Sequence, residues 1–132
     1  MKHVVNVAKG REPDVDPRSL RARVANRDKE VLRDTYYLIE AAKGPPRRMS
    51  CGHTTIYPTG TTTGHTHDDM EEIYFVLSGE GIMVVGDEEY PITAGDCLYV
   101  PPGKFHTTKH TGILPLVVLW MTCKLDGDEA NA

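Results

Sequence analysis

The segment GTTTGHTHDDMEEIYFVLSG, which runs from Gly60 to Gly79, places four acids in the five positions after a His-x-His pair. Side chains two residues apart on an extended segment share a face, so His65 and His67 point in the same direction. The apolar stretch from Ile73 to Leu77 has the β-branched and aromatic residues of a strand. The segment therefore predicts two neighbouring imidazoles beside a buried strand, with Glu72 at the start of that strand.

These side chains are of the types that bind divalent transition metals. If Glu72 faces inward, Tyr74 and Val76 share its face. His106 follows a Pro-Pro-Gly turn at the head of a late strand, and it is a natural candidate for a further ligand. Three imidazoles and a carboxylate suit one divalent transition metal per chain (Fe, Mn, Ni, Zn, Cu or Co). Such a set leaves coordination positions open, as catalytic sites require.

Two spaced motifs in this part of the chain resemble the signature motifs of the cupin superfamily. The first reads Gly60-TTTG-His65-T-His67-DDME-Glu72-IYFVLS-Gly79. The second reads Gly95-DCLYV-Pro101-P-Gly103-KF-His106-TTK-His110, with histidine at the last position, where the family usually has asparagine. The resemblance covers roughly Met49 to Met121 and implies a double-stranded β-helix, or jelly-roll barrel.

The resemblance also implies which residues bind the metal, namely His65, His67, Glu72 and His106. The spacing to Gly79 selects Glu72 rather than Glu71, and strand alternation agrees, because neighbouring residues face opposite ways. Asp68, Asp69 and Glu71 are then expected at the rim of the site.

The rest of the sequence also predicts an all-β fold, because short apolar segments alternate with Gly- and Pro-containing turns. We predict three regions: an N-terminal arm over residues 1–34, a barrel over 35–125, and a disordered tail over 126–132. The arm holds a possible short helix around Ser19 to Leu32, capped by Asp16 or Ser19, and a possible edge strand at Met1 to Val7. It is expected to pack on the barrel or on a partner subunit. The predicted strands are Tyr36–Ile39, Met49–Tyr57, Ile73–Leu77, Gly81–Val85, Glu89–Ile92, Cys97–Val100, Lys104–His110 and Leu116–Lys124.

Three further residues are candidates for a catalytic role. Tyr74 is expected to share the inward face of Glu72. There its hydroxyl reaches a substrate, or the residue is simply part of the core. His110 lies four residues beyond His106 and is expected to share its face, as a proton shuttle, a partner of a ligand, or a residue of the barrel mouth. His53 faces the pocket in one strand register and the surface in the other.

Composition restricts the class of partner. A net charge of −4 and a pI near 5.8 give no electrostatic basis for binding nucleic acid. No apolar run is long enough to span a bilayer, and the N-terminus has no signal-peptide pattern. The three widely spaced cysteines do not form a disulfide framework pattern. We expect a cytoplasmic protein, a homodimer formed partly by the N-terminal edge strand, and a small-molecule substrate.

Two functions compete at the sequence level. The first is a metal-dependent enzyme that acts on a small, oxygen-bearing substrate, by isomerase or lyase chemistry or by dioxygenase chemistry. The segment 62–67 together with Tyr99-Val-Pro-Pro is similar to archaeal cupin-type sugar-phosphate isomerases, which favours the first of these chemistries. The alternative is a non-catalytic, metal-holding cupin that binds a small ligand or assists a biosynthetic pathway.

Overall fold

Eight β-strands form nearly all of the regular structure in the computed structural model, which describes residues 4, 16–18, 33–58 and 60–127. A single 3-10 turn at Ala41–Lys43 joins the first two strands. No helix in these described ranges is long and apolar enough to cross a membrane. The strands are β1 (Arg33–Ile39), β2 (Met49–Ile56), β3 (Met70–Ser78), β4 (Glu80–Val85), β5 (Glu88–Thr93), β6 (Cys97–Val100), β7 (His106–Thr111) and β8 (Leu116–Lys124).

The strands form two antiparallel sheets. The five-stranded sheet has the order β1-β2-β8-β3-β6, and the three-stranded sheet has the order β5-β4-β7. The segment between β2 and β3 extends the smaller sheet, because Thr61 and His65 form bridges with Lys109 and His106 of β7. Strand order therefore brings the His-x-His segment against β7, although about forty residues separate them in the sequence.

The two sheets enclose a core that is packed at one end and open at the other. Ile56, Val76 and Leu116 are almost fully buried at the packed end, where β2, β3 and β8 lie side by side. Towards the other ends of the same strands, Thr54, Glu72 and Thr122 line a cavity instead. A jelly roll of this kind holds its ligand site between the sheets, next to its core.

Gly79 shows why the first motif ends in glycine. It has a φ of +83°, and a Cβ atom placed there would lie 2.3 Å from the carbonyl oxygen of Pro115. Both the left-handed backbone and the close approach of the next chain require a residue without a side chain. The turn from β3 to β4 therefore depends on this residue.

The all-β prediction is confirmed, and β6 and β8 have the predicted bounds. β1 is longer than predicted, since it begins at Arg33 rather than Tyr36, and β7 starts at His106 rather than Lys104. The predicted edge strand at Met1 to Val7 and helix around Ser19 to Leu32 lie almost wholly outside the described residues. The N-terminal arm, the disordered tail and the homodimer stay predictions.

Candidate metal centre

Four side chains that are far apart in sequence converge at the open end of the barrel. His65, His67, Glu72 and His106 each offer a nitrogen or oxygen atom, and these atoms lie within 4.8 Å of one another. The ring centroids of His65 and His106 are 4.2 Å apart, and those of His65 and His67 are 4.5 Å apart. This compactness is what a single ion bound by four protein ligands requires.

Two atoms of the cluster are buried without a hydrogen-bond partner. The Nε2 atom of His106 and the Oε2 atom of Glu72 lie 3.1 Å apart, and neither forms a hydrogen bond. Glu72 is 6% exposed and His106 is 2% exposed, so water does not compensate for the missing bonds. Buried polar atoms are almost always satisfied, because leaving one unpaired costs about 1–3 kcal/mol. A cation between the two residues would satisfy both atoms, and the donor set suits a divalent transition metal.

The backbone around two of the histidines fixes the tautomer that metal binding needs. The Nδ1 atom of His65 lies 3.0 Å from the carbonyl oxygen of Thr63, and that of His106 lies 3.3 Å from the carbonyl oxygen of Lys104. A carbonyl oxygen only accepts, so each Nδ1 atom carries the proton, which leaves each Nε2 lone pair available to a metal.

The surroundings of His65 disfavour its charged form. Partial burial, then the neighbouring His106 and His67, lower the pKa of His65 below its usual value. A neutral imidazole has the lone pair that a metal ligand needs.

Tyr74 is the one predicted catalytic candidate that lies in the site. It lines the cavity, and its ring centroid is 6.0 Å from that of His106. Burial, the charge of Glu72 and a hydrogen bond to Glu72 raise the pKa of Tyr74 far above its usual value. Its hydroxyl therefore stays protonated and donates to Glu72, which holds that carboxylate in place.

His53 and His110, the other two candidates, do not line the cavity. The buried face of β2 carries Gly52, Thr54 and Ile56, so His53 lies on the opposite face of that strand. The Nε2 atom of His110 lies 2.6 Å from the carbonyl oxygen of Leu114, in the turn before β8, and His110 does not line the cavity. Alternation predicts that His106 and His110 share a face, but four residues of strand separate them by roughly 13 Å.

The acids beside Glu72 lie outside the cluster. The Tyr99 hydroxyl donates to Glu71 over 3.0 Å, and the Asp69 carboxylate lies 3.8 Å from the ammonium of Lys124. Asp68 is exposed. None of the three lines the cavity.

The cavity has a volume of about 450 Å³. Its polar lining is rich in threonine hydroxyls, and Val118 and Trp120 form an apolar part of the wall. One wall comes from β1 and the turn after it, through Arg33, Thr35, Tyr37 and Glu40. The sequence prediction assigned none of these four residues to the site. The alternation of Arg33, Thr35 and Tyr37 is the signal that identifies these three, once β1 is known to begin at Arg33, whereas no sequence pattern points to Glu40.

Fold and site together define a jelly-roll protein with a candidate three-histidine, one-carboxylate metal centre. The cupin domain model matches residues 52–122, more than half of the chain, so the protein belongs to the cupin family.

Three similar proteins illustrate the range of this family. The oxalate-binding protein of Thermotoga maritima is 38% identical over 56 residues, which are 42% of this chain and 46% of that protein. The glucose-6-phosphate isomerase of Thermococcus gammatolerans is 42% identical over 65 residues, 44% of this chain and 34% of that enzyme. A crystal structure described as a predicted oxalate decarboxylase of Thermotoga maritima superposes with a TM-score of 0.65. It is 25% identical and covers 70% of this chain and 81% of the other. The two sequence relatives are matched over less than half of their own lengths.

Proposed function

We propose that this protein binds one divalent transition metal through His65, His67, Glu72 and His106 and acts on a small, oxygen-bearing substrate beside it. The observation that carries the proposal is the buried, unpaired contact between Glu72 and His106. Two such groups side by side are costly unless a cation lies between them. The three imidazoles and the single carboxylate suit Fe, Mn, Ni, Zn, Cu or Co.

The cavity supports a small polar substrate. Its volume of about 450 Å³ lies within the usual range for small-molecule sites. Threonines 35, 54, 62, 63, 108 and 122 line it. The hydroxyls of Thr63 and Thr122 can hydrogen-bond to substrate oxygens, whereas those of the other four bond to neighbouring protein atoms. When bound, the metal would supply a Lewis acid that polarises a substrate carbonyl or hydroxyl group. Tyr74 would keep Glu72 oriented, and Thr63 and Thr122 would orient the substrate.

Two chemistries fit this description. Isomerase or lyase chemistry is supported by the likeness to a glucose-6-phosphate isomerase. Dioxygenase chemistry needs the same open coordination positions together with iron. Oxygen consumption by the iron-loaded protein, measured with candidate catechols and diketones, separates the second chemistry from the first.

A second candidate function is ligand binding without turnover. Outside the proposed ligands, the titratable groups of the cavity are poorly placed for proton transfer. Tyr74 donates to Glu72, and the Glu40 carboxylate lies 2.8 Å from the ammonium of Lys43. The likeness to an oxalate-binding protein also supports this function. Calorimetry with oxalate, followed by recovery of the unchanged oxalate, would favour binding over catalysis.

The metal site is tested by elemental analysis of protein purified without added metal. We expect about one transition metal ion per chain. His106→Ala should lose most of the metal, because removal of one ligand from a four-ligand set weakens binding strongly. Glu71→Ala is the matched control, since Glu71 is adjacent to Glu72 but faces Tyr99. Loss of metal in Glu71→Ala with retention in His106→Ala would contradict the proposed ligand set.

A further inference from the structure

One wall of the cavity belongs to a strand that contributes no metal ligand. Arg33, Thr35 and Tyr37 alternate along β1, so their side chains share the face that looks into the cavity. Asp34 lies on the other face, where its carboxylate accepts a hydrogen bond from Tyr57. An arginine therefore lines the same cavity as the candidate metal centre, and it is exposed to solvent.

A chain of hydrogen bonds holds this arginine in position. The guanidinium of Arg33 donates to the Oγ1 atom of Thr35 over 2.9 Å. The Oγ1 atoms of Thr35 and Thr54 lie 3.0 Å apart, and the indole of Trp120 donates to Thr54 over 3.0 Å. Thr54 and Trp120 are buried, so the chain ends in the core of the barrel. Arg33 is thus linked to three adjacent strands, β1, β2 and β8, and is less free than an ordinary surface arginine.

The charge of Arg33 is not neutralised within the described residues. No carboxylate in that part of the chain lies within ion-pair distance of its guanidinium. Glu40, the other acid of this wall, pairs with Lys43 instead. A divalent ion at the cluster would add two positive charges against the single charge of Glu72. The cavity then carries net positive charge from both ends and favours an anion.

We propose that Arg33 binds the anionic group, a carboxylate or a phosphate, of a small hydroxylated ligand in this cavity. Only one of the five N–H donors of the guanidinium is used by Thr35, which leaves the others for a two-pronged contact with an anion. Tyr37 and Trp120 pack edge to face with ring centroids 5.5 Å apart and form the apolar wall beside it. The proposal rests on the proposed function, because the other end of the ligand would face the metal centre.

Binding is tested with zinc-loaded protein and three probes: malate, glycerol 3-phosphate and the neutral control glycerol. Trp120 is the single tryptophan of the chain and lines the cavity, so its fluorescence reports occupancy. We expect at least one anion to bind more than tenfold more tightly than glycerol. Arg33→Gln should weaken that anion about tenfold to a hundredfold, as expected for the loss of a charge-assisted contact. Arg33→Lys should recover part of the loss, and the preferred anion identifies the group as carboxylate or phosphate.

Arg47→Gln is the matched control, because Arg47 is exposed and does not line the cavity. It removes the same charge and should leave the affinity unchanged. Zinc content is measured for each variant, and Arg33→Gln should retain its zinc. If the wild-type chain holds no zinc, the metal proposal fails. The titrations are then run on metal-free protein, where loss of anion binding in Arg33→Gln still supports the role of Arg33. Equal anion affinity in wild type and Arg33→Gln overturns it, as does binding of neither anion above glycerol.

Discussion

Gly52 is a residue whose identity follows from its contact with one side chain. A Cβ atom placed there would lie 2.0 Å from Cζ2 of Trp120, far inside contact distance. Gly52 lies on the buried face of β2, so neither the indole nor the strand can move away without disturbing the core. The absence of a side chain at this position lets Trp120 occupy its place beside the cavity.

Gly52→Ala should therefore destabilise the protein by about 3 kcal/mol, the upper part of the usual range for overpacking. Urea unfolding at 25 °C measures this cost. The matched test is the same change in a Trp120→Leu background, where the clashing ring is absent and the cost should fall below about 1 kcal/mol. Equal costs in the two backgrounds would show that the clash is not with Trp120.

Single residues also show how far sequence reasoning reaches into the site. The spacing of His65, His67, Glu72 and His106 predicts a cluster, and the structure brings these four side chains together. Alternation fixes which residues share a face of a strand but not which face is inside. The facing of His53 was left open for this reason, and the structure puts Gly52 and Thr54, not His53, on the buried face of β2.

At the scale of elements, turn residues predicted the bounds of some strands but not of all, since β7 begins two residues later than its Pro-Pro-Gly turn indicated. The bounds of β6 and β8 follow from flanking turns such as Gly95-Asp96 and Gly112 to Pro115. β1 was predicted too short because Arg33, Asp34 and Thr35 are polar or charged. They belong to a strand because β2 pairs with them and the cavity accepts polar side chains. Pairing in the sheet, which the sequence does not display, decides this boundary.

A hydrogen bond between side chains joins the ends of β1 and β2. The Tyr57 hydroxyl donates to the carboxylate of Asp34 over 2.6 Å. This bond, and to a lesser extent burial, raise the pKa of Tyr57 above its ordinary value. Because the folded state holds the proton more tightly, the stabilisation is present below the unfolded pKa of about 10 and is lost as the pH rises through the folded pKa.

Tyr57→Phe should lower the free energy of unfolding by about 0.5–1 kcal/mol at pH 8, a small value because the bond is exposed. The difference from wild type should shrink as the pH rises above about 10. Chemical denaturation between pH 8 and pH 11 measures both effects. Tyr36→Phe is the control, since Tyr36 is exposed on the same strand. A pH-independent difference for Tyr57→Phe would contradict the assigned cause.

At the scale of the whole molecule, the candidate metal centre joins the two sheets. Glu72 lies on β3 of the five-stranded sheet, and His106 lies on β7 of the three-stranded sheet. His65 belongs to the segment that pairs with β7, and it reaches the cluster from the same side. An ion held by these residues would therefore act as a cross-link between the sheets and would bind the folded chain in preference to the unfolded one.

Metal should therefore stabilise the whole fold. A ligand present at a hundred times its Kd adds about 2.7 kcal/mol to the free energy of unfolding. For a domain of this size that corresponds to a rise in Tm of about 10 °C. Differential scanning calorimetry of metal-free and zinc-loaded protein measures the shift. Glu72→Gln should abolish most of it, because the amide removes the anionic ligand between the sheets. Glu71→Gln, one residue away and facing Tyr99, should keep the full shift. An equal rise in Tm in both variants would show that the stabilising ion binds at another site and not at the cluster of His65, His67, Glu72 and His106.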